Sequence, residues 1–316
     1  MNQQFFVKED GPYAGPARDY VGYGEHPPRI EWPGGARVAV QIVVNYEEGS
    51  EKSFPMGDGV NDGMHEIPFH LDGVRDLCVE SVYEYGSRAG IWRLFRIFDA
   101  AGIAVTFFAA AVALERNPAV AATLAARGDE AAGHGYRWSN HFEMTRDEER
   151  EAIRLGIESI DRTTGARPLG WYCREMSVNT RELIVEEGGF LYDSECYNDD
   201  LPFWTEVNGT AHLVVPYTLV VNDARYVLAQ GYGSPEHFLE YAKATIERLR
   251  ADGDDVSRMM SIGLHPRFSG QPARADALSR FIDWAQGHDD VTFMRRVDIA
   301  RTFREQLPAE SAGLGG

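Results

Sequence analysis

Residues 36–51, "ARVAVQIVVNYEEGSE", decide how the chain is read: a β-branched apolar run stops abruptly at two adjacent glutamates, a glycine and a third glutamate. The run has the composition of a buried strand. Glu47 and Glu48 stand where that strand should end, so they are either a solvated loop or chemistry. Adjacent residues on an extended chain point to opposite sides, so only one of them faces a given pocket unless the backbone turns. Gly49 permits such a turn.

Outward from this stretch, strand-like and helix-like segments alternate. "IWRLFRIFDAAG" (91–102) has helical spacing and a Gly102 stop, and "IAVTFFAAA" (103–111) is the next strand. A helix from Pro118 to Gly128 leads to the strand end "DEAAGHG" (129–135), and residues 145–165 form a helix with a Thr145 cap, an acidic first turn and a Gly165 close. "RPLGWY", "NTRELIVEEGG" and "FLYDSE" (167–195) repeat strand, helix, strand. After an irregular stretch containing "HLVVPYTLVV" (212–221), helix 234–253, strand 258–265, helix 275–287 and strand 291–296 complete the order.

About seven such units predict a parallel α/β architecture, and the lack of a Gly-rich nucleotide loop favours a barrel. The proline-rich residues 1–35 are expected to form an irregular arm, 36–304 one barrel domain, and 305–316 a disordered tail. Barrel chemistry sits at the C-terminal ends of strands. Those ends carry Glu47 and Glu48, His134, Trp171 to Glu175, Asp193, and His265 with Arg267. That concentration of carboxylate, imidazole and guanidinium on one face exceeds what solubility requires.

Composition narrows the partners. With 31 basic and 49 acidic residues the net charge is -18, which repels phosphate backbones and anionic membranes, so no nucleic acid or membrane partner is expected. Three cysteines without CxxC spacing suggest neither disulfide framework nor cysteine zinc site. No basic-then-apolar leader opens the chain and no uninterrupted apolar run approaches ~18 residues. A cytoplasmic setting is expected.

His134 lies between two glycines in "GHGYRWSNHFEM" (133–144), and His265 follows an apolar strand and precedes a proline. Each is read as functional against the alternative of a structural histidine. His134 and His141 are seven apart, not the i, i+4 spacing of a helical metal pair, although a loop could bring them together. The other histidines are read as surface or packing residues, with His65 and His70 left unassigned. Cys173 has no context that would lower its pKa.

Together these segments resemble the polysaccharide deacetylase (NodB-homology) superfamily, whose fold is an incomplete, distorted (β/α)7 barrel. "NYEEG" (45–49) lies over the family's Asp-Asp-Gly turn, "HGYRW" (134–138) over its double-histidine motif, "GWYCRE" (170–175) over the third motif, "LYDSE" (191–195) over the fourth and "GLH" (263–265) over the last. A closer likeness, from about residue 18 to 303, is to the cofactor-independent allantoinases and related cyclic imide or amide hydrolases. It is carried by "VYEYGSRAGIWRL" (82–94), "NDDLPFW" (198–204), "PYTLVVND" (216–223) and "SIGLHPRFSGQPAR" (261–274).

The resemblance implies a hydrolase of non-peptide carbon–nitrogen bonds, opening a small ring such as allantoin, hydantoin or succinimide. Glu47 is the implied base, His265 the acid toward the leaving nitrogen, and Arg174 an orienting or oxyanion group. Glu48 and His134 would hold the water. Trp138, Trp171 and Tyr172 would wall a flat ring, with Arg137 and Arg267 reaching its oxygens and His141 in the pocket floor. Where metal-dependent members place a second histidine this chain has Trp138, and an indole cannot ligate, so no cofactor is expected. The alternative is a divalent ion such as zinc on Glu48, His134 and His141, serving an N-deacetylase of acetylated sugars. A degenerate barrel that binds without turnover is a third reading. The resemblance also implies a homo-oligomer, of tetrameric form.

Overall fold

The computed structural model describes residues 15–229, 231–252 and 256–314. The elements in chain order are β1 (Val38–Tyr46), α1 (Leu77–Tyr85), α2 (Ile91–Ala101), β2 (Thr106–Ala109), α3 (Ala111–Arg116), α4 (Pro118–Arg127) and β3 (Glu130–Gly133). There follow α5 (Arg146–Thr164), β4 (Gly170–Trp171), α6 (Thr180–Glu187), β5 (Tyr192–Asp193), β6 (Phe203–Val207), β7 (Thr210–Val214) and α7 (Pro235–Arg250). The chain ends with β8 (Arg258–Leu264), α8 (Pro266–Ser269), α9 (Pro272–Gln286), β9 (Val291–Phe293) and α10 (Arg296–Gln306).

β1 is buried at all nine positions because helices cover one face and the barrel interior fills the other. It is the hub of the sheet, whose order is β6-β7-β5-β4-β3-β2-β1-β8, with β9 also on β1. β8 runs along one edge of β1 from Val38 to Val44, so β9 (at Val38 to Val40) and β2 (at Val43 to Tyr46) must share the other. Every pairing is parallel except β6 with β7. The sheet is therefore a curled, incomplete barrel of the expected class. Its seam is crossed by single contacts, Met259 N to Asp200 O and Gly263 N to Val221 O, and by buried Arg296, which reaches Gln41, Ser194 and Ser261.

The helix signals hold in detail. Thr145 and Glu148 form a reciprocal capping box on α5, and Gly102, Gly128 and Gly165 close α2, α4 and α5 in the left-handed conformation. Two segments differ from expectation. The stretch around "HLVVPYTLVV" contributes a β-hairpin, because Asn208 and Gly209 have φ of 50° and 80° and close a tight turn between β6 and β7. Past residue 304, α10 continues to Gln306, Leu307 O accepts the Trp204 indole N–H at 2.8 Å, and a helical turn spans Ala309–Ala312. Of the expected arm, residues 1–14 lie outside the described residues. Its end is anchored where Ile30 N donates to Ser257 Oγ and the Trp32 indole to Arg258 O.

Candidate active site

The chain turns sharply after β1, with Ser50 N on Glu47 O at 2.8 Å and Gly49 at φ 92°. Both glutamates are buried, Glu47 1% and Glu48 2% exposed, so the pair is no solvated loop. Their carboxylates diverge. Glu47 Oε2 accepts from Arg267 Nη1 at 2.8 Å, while Oε1 lies 3.2 Å from His134 Nε2 and 3.5 Å from His265 Nε2. Glu48 turns back on the backbone: Oε2 accepts from Glu47 N and Oε1 from Arg267 N, each at 3.1 Å.

Each imidazole is held from behind. His134 Nδ1 is 3.2 Å from Tyr172 O, and its ring stacks on Tyr172, which stacks on Phe108. His265 Nδ1 is 2.6 Å from Asp223 Oδ1. Asp223 Oδ2 accepts from His265 N and from the Ser269 amide and hydroxyl, which fixes it to the turn that carries His265. Sequence reasoning passed over Asp223: it lies in the quoted "PYTLVVND" but in an irregular stretch, where no periodicity points it at a strand end.

The electrostatics follow from this packing. Burial alone would raise the Glu47 pKa, but Arg267, His265 and the hydrogen bonds from both histidines hold it well below the ordinary value. Burial, reinforced by Glu47, outweighs Arg267 at Glu48 and pushes its carboxyl up to about 7. Burial works against charged His265, yet Glu47 and Asp223 on its two sides raise it to about 9. At neutral pH the site therefore pairs an ionised Glu47 with a protonated His265. That is a proton acceptor and a proton donor sharing one contact.

Three arginines expected near substrate hold the segment after β1, and one of them, Arg267, also stays in the site. Arg137 grips Asp58 with both terminal nitrogens and donates to Glu51 O. Arg174 donates to Asp62 at 2.5 Å, and Arg267 Nε to Met64 O at 3.2 Å. Trp138 lies between two of them, 3.9 Å from the Arg174 guanidinium and 5.2 Å from that of Arg267. Arg267 is thus both an anchor and the partner of Glu47, with Nη2 buried and, among the described residues, without a hydrogen-bond partner. Trp171 packs behind the sheet with Ile153, Ile157, Leu183 and Phe190 and does not wall the site. His141 Nδ1 meets Glu149 at 3.0 Å, and Glu149 also takes the Ser177 and Thr180 hydroxyls, so His141 does not form the pocket floor.

This arrangement does not fit the tentative metal trio. Both Glu48 oxygens are occupied by backbone N–H groups, and His134 Nε2 faces Glu47. Among the described residues no cluster of three or more His, Cys, Asp or Glu is placed to hold a metal ion.

The chain thus forms an incomplete parallel barrel with a carboxylate, two histidines and an arginine gathered at one end. The family described as polysaccharide deacetylase matches residues 73–186. A Schizosaccharomyces pombe protein assigned to the polysaccharide deacetylases is 33% identical over 88% of this chain and 93% of its own. The crystal structure of a probable polysaccharide deacetylase from Pseudomonas aeruginosa PAO1 is 46% identical with TM-score 0.88, covering 92% of this chain and 99% of that one. That of PuuE allantoinase is 46% identical with TM-score 0.89, covering 95% and 99%. The chain belongs to the polysaccharide deacetylase family, and its reaction is hydrolysis of a non-peptide carbon–nitrogen bond. Among the described residues no helix is long and apolar enough to cross a membrane.

Proposed function

We propose that the chain opens a small cyclic amide, imide or ureide by hydrolysis without a resident metal. The observation that carries this is Glu47 Oε1, set 3.2 Å from His134 Nε2 and 3.5 Å from His265 Nε2. In this reading Glu47 takes a proton from the attacking water, which adds to the ring carbonyl carbon. His134 orients that water, and its Nδ1 contact with the Tyr172 carbonyl fixes the ring. His265 Nε2 then gives its proton to the ring nitrogen as the carbon–nitrogen bond breaks. Glu48 orients Arg267, which holds Glu47 ionised.

Burial of the reacting groups supports a small substrate: Glu47, His134 and His265 are 1%, 2% and 6% exposed, which suits a ring taken into the barrel mouth. Likeness to PuuE allantoinase puts allantoin first among the rings to test. The cytoplasmic setting belongs to the same proposal and is consistent with three free cysteines. So does the tetrameric assembly, for which Phe69, Phe142 and Leu219, exposed on loops that follow strands, offer apolar surface.

A hydrolysis screen on allantoin, hydantoin, succinimide and N-acetylglucosamine oligomers tests the reading. Ring opening is expected. Turnover of the oligomers alone would favour the deacetylase reading, which the names of the S. pombe and P. aeruginosa relatives support.

A further inference from the structure

Between α1 and α2 the chain makes a π-helical turn, Gly86–Gly90. A wide turn inside an otherwise regular helix is costly and concentrates at functional sites. Here it lies flush against the α8 segment that carries His265 and Arg267. A Cβ on Gly90 would run into the Pro266 carbonyl oxygen. Gly86 approaches the Glu48 carboxylate itself: a Cβ there would stand 2.5 Å from Glu48 Oε1, 2.7 Å from Glu48 Cγ and 2.8 Å from Arg267 N. These are the partners in the 3.1 Å hydrogen bond from Arg267 N to Glu48 Oε1.

The geometry points to Gly86 as a positioning residue: its missing side chain is the space in which Glu48 grips the Arg267 backbone, and through Arg267 it sets where Glu47 stands. The chain of contacts is short. Glu48 Oε1 holds Arg267 N, and Arg267 Nη1 holds Glu47 Oε2 at 2.8 Å. The charged and titratable groups around Glu48 are Glu47 and Tyr46 on the β1 end and His265 and Arg267 on the α8 segment. A methyl group at 86 cannot be absorbed by side-chain motion alone, because one of its neighbours is backbone.

The test compares Gly86→Ala with Ser87→Ala. Ser87 lies in the same turn and bonds Tyr46 and Asn117, not the carboxylates, so its loss reports on the turn alone. Carbon-13 NMR titration of the Glu48 carboxyl requires no substrate. In Gly86→Ala the midpoint should rise by about one unit, because a carboxylate deprived of a backbone N–H is less stable ionised, and in Ser87→Ala it should stay. The activity arm rests on the proposed ring opening: kcat should fall at least tenfold with KM within twofold. A titration shift without ring opening in the parent would condemn the proposed function and leave Gly86 standing. An unmoved Glu48 midpoint, or an equal shift in Ser87→Ala, overturns the inference. If Gly86→Ala folds poorly, a Glu48→Ala background decides. Part of the lost melting temperature should return there, and no recovery counts against the proposal.

Discussion

Asp223 Oδ1 lies 2.6 Å from His265 Nδ1, and the opposite nitrogen of that ring lies 3.5 Å from Glu47 Oε1. One imidazole thus bridges two buried carboxylates, each of which favours its protonated form. This relationship makes His265 an acid at neutral pH and leads to most of what can be measured.

The ring-opening rate should lose its acid near pH 9, the value to which Glu47 and Asp223 raise His265 against the cost of burial. Asp223→Asn keeps an acceptor oxygen and removes the charge, so the basic limb should move toward the ordinary histidine value of ~6.5. A pH–rate profile of the variant checks this, and an unchanged basic limb would show that Asp223 does not act through His265.

The same shift ties folding to pH. His265 has a folded pKa raised above its unfolded one, so its stabilisation is complete below ~6.5 and is lost as pH rises through about 9. Between pH 6.5 and 9.5 the urea midpoint of the wild type should fall more steeply than that of His265→Gln. Parallel curves would contradict the assignment.

Glu47→Gln should cut kcat by about 10²- to 10⁴-fold. It also leaves buried Arg267 without its nearest counter-charge. Glu48, 3.6 Å from Arg267 Nη1, softens the loss, so a cost of about 3 kcal/mol in stability is expected with the fold retained. Circular dichroism with denaturant melts separates the two effects.

The fold was legible wherever local chemistry decides it: the β-branched run of β1, the Thr145 cap, and the glycines ending α2, α4 and α5 all appear as read. The β6–β7 hairpin was missed although its Asn208-Gly209 turn is a strong local signal, because the apolar run after it drew the reading instead. In the site, strand-end position places His134 and His265 on Glu47 Oε1, with Glu48 beside them on the Arg267 backbone. Residue type does not separate Arg137 and Arg174 from a substrate-binding arginine, since a guanidinium satisfied by Asp58 or Asp62 looks the same in sequence as one awaiting substrate. Which way Trp171 faces depends on the crowding of its ring against Gly133, a contact between strands.

Trp171→Ala accordingly tests packing against recognition. Removing a fully buried indole should cost about 3–5 kcal/mol and leave KM within twofold in protein that remains folded. A large rise in KM at unchanged stability would restore Trp171 to the substrate wall.

Arg174→Ala should free the segment that Asp62 anchors. Arg174 is partly exposed but Asp62 is buried, so leaving that carboxylate without its counter-charge should cost about 1–3 kcal/mol of global stability. Faster amide exchange over residues 57–66 and a higher KM are the expected signs, and unchanged exchange would show that the Arg174–Asp62 pair does not restrain the segment.

The most direct measurement follows ring opening of allantoin, hydantoin and succinimide by NMR with chelator-treated, metal-analysed protein, beside Glu47→Gln and His265→Gln. The carboxylate–imidazole mechanism predicts turnover that survives metal removal and is lost in both variants. Turnover abolished by chelation and restored by zinc, or retained in Glu47→Gln, would contradict it.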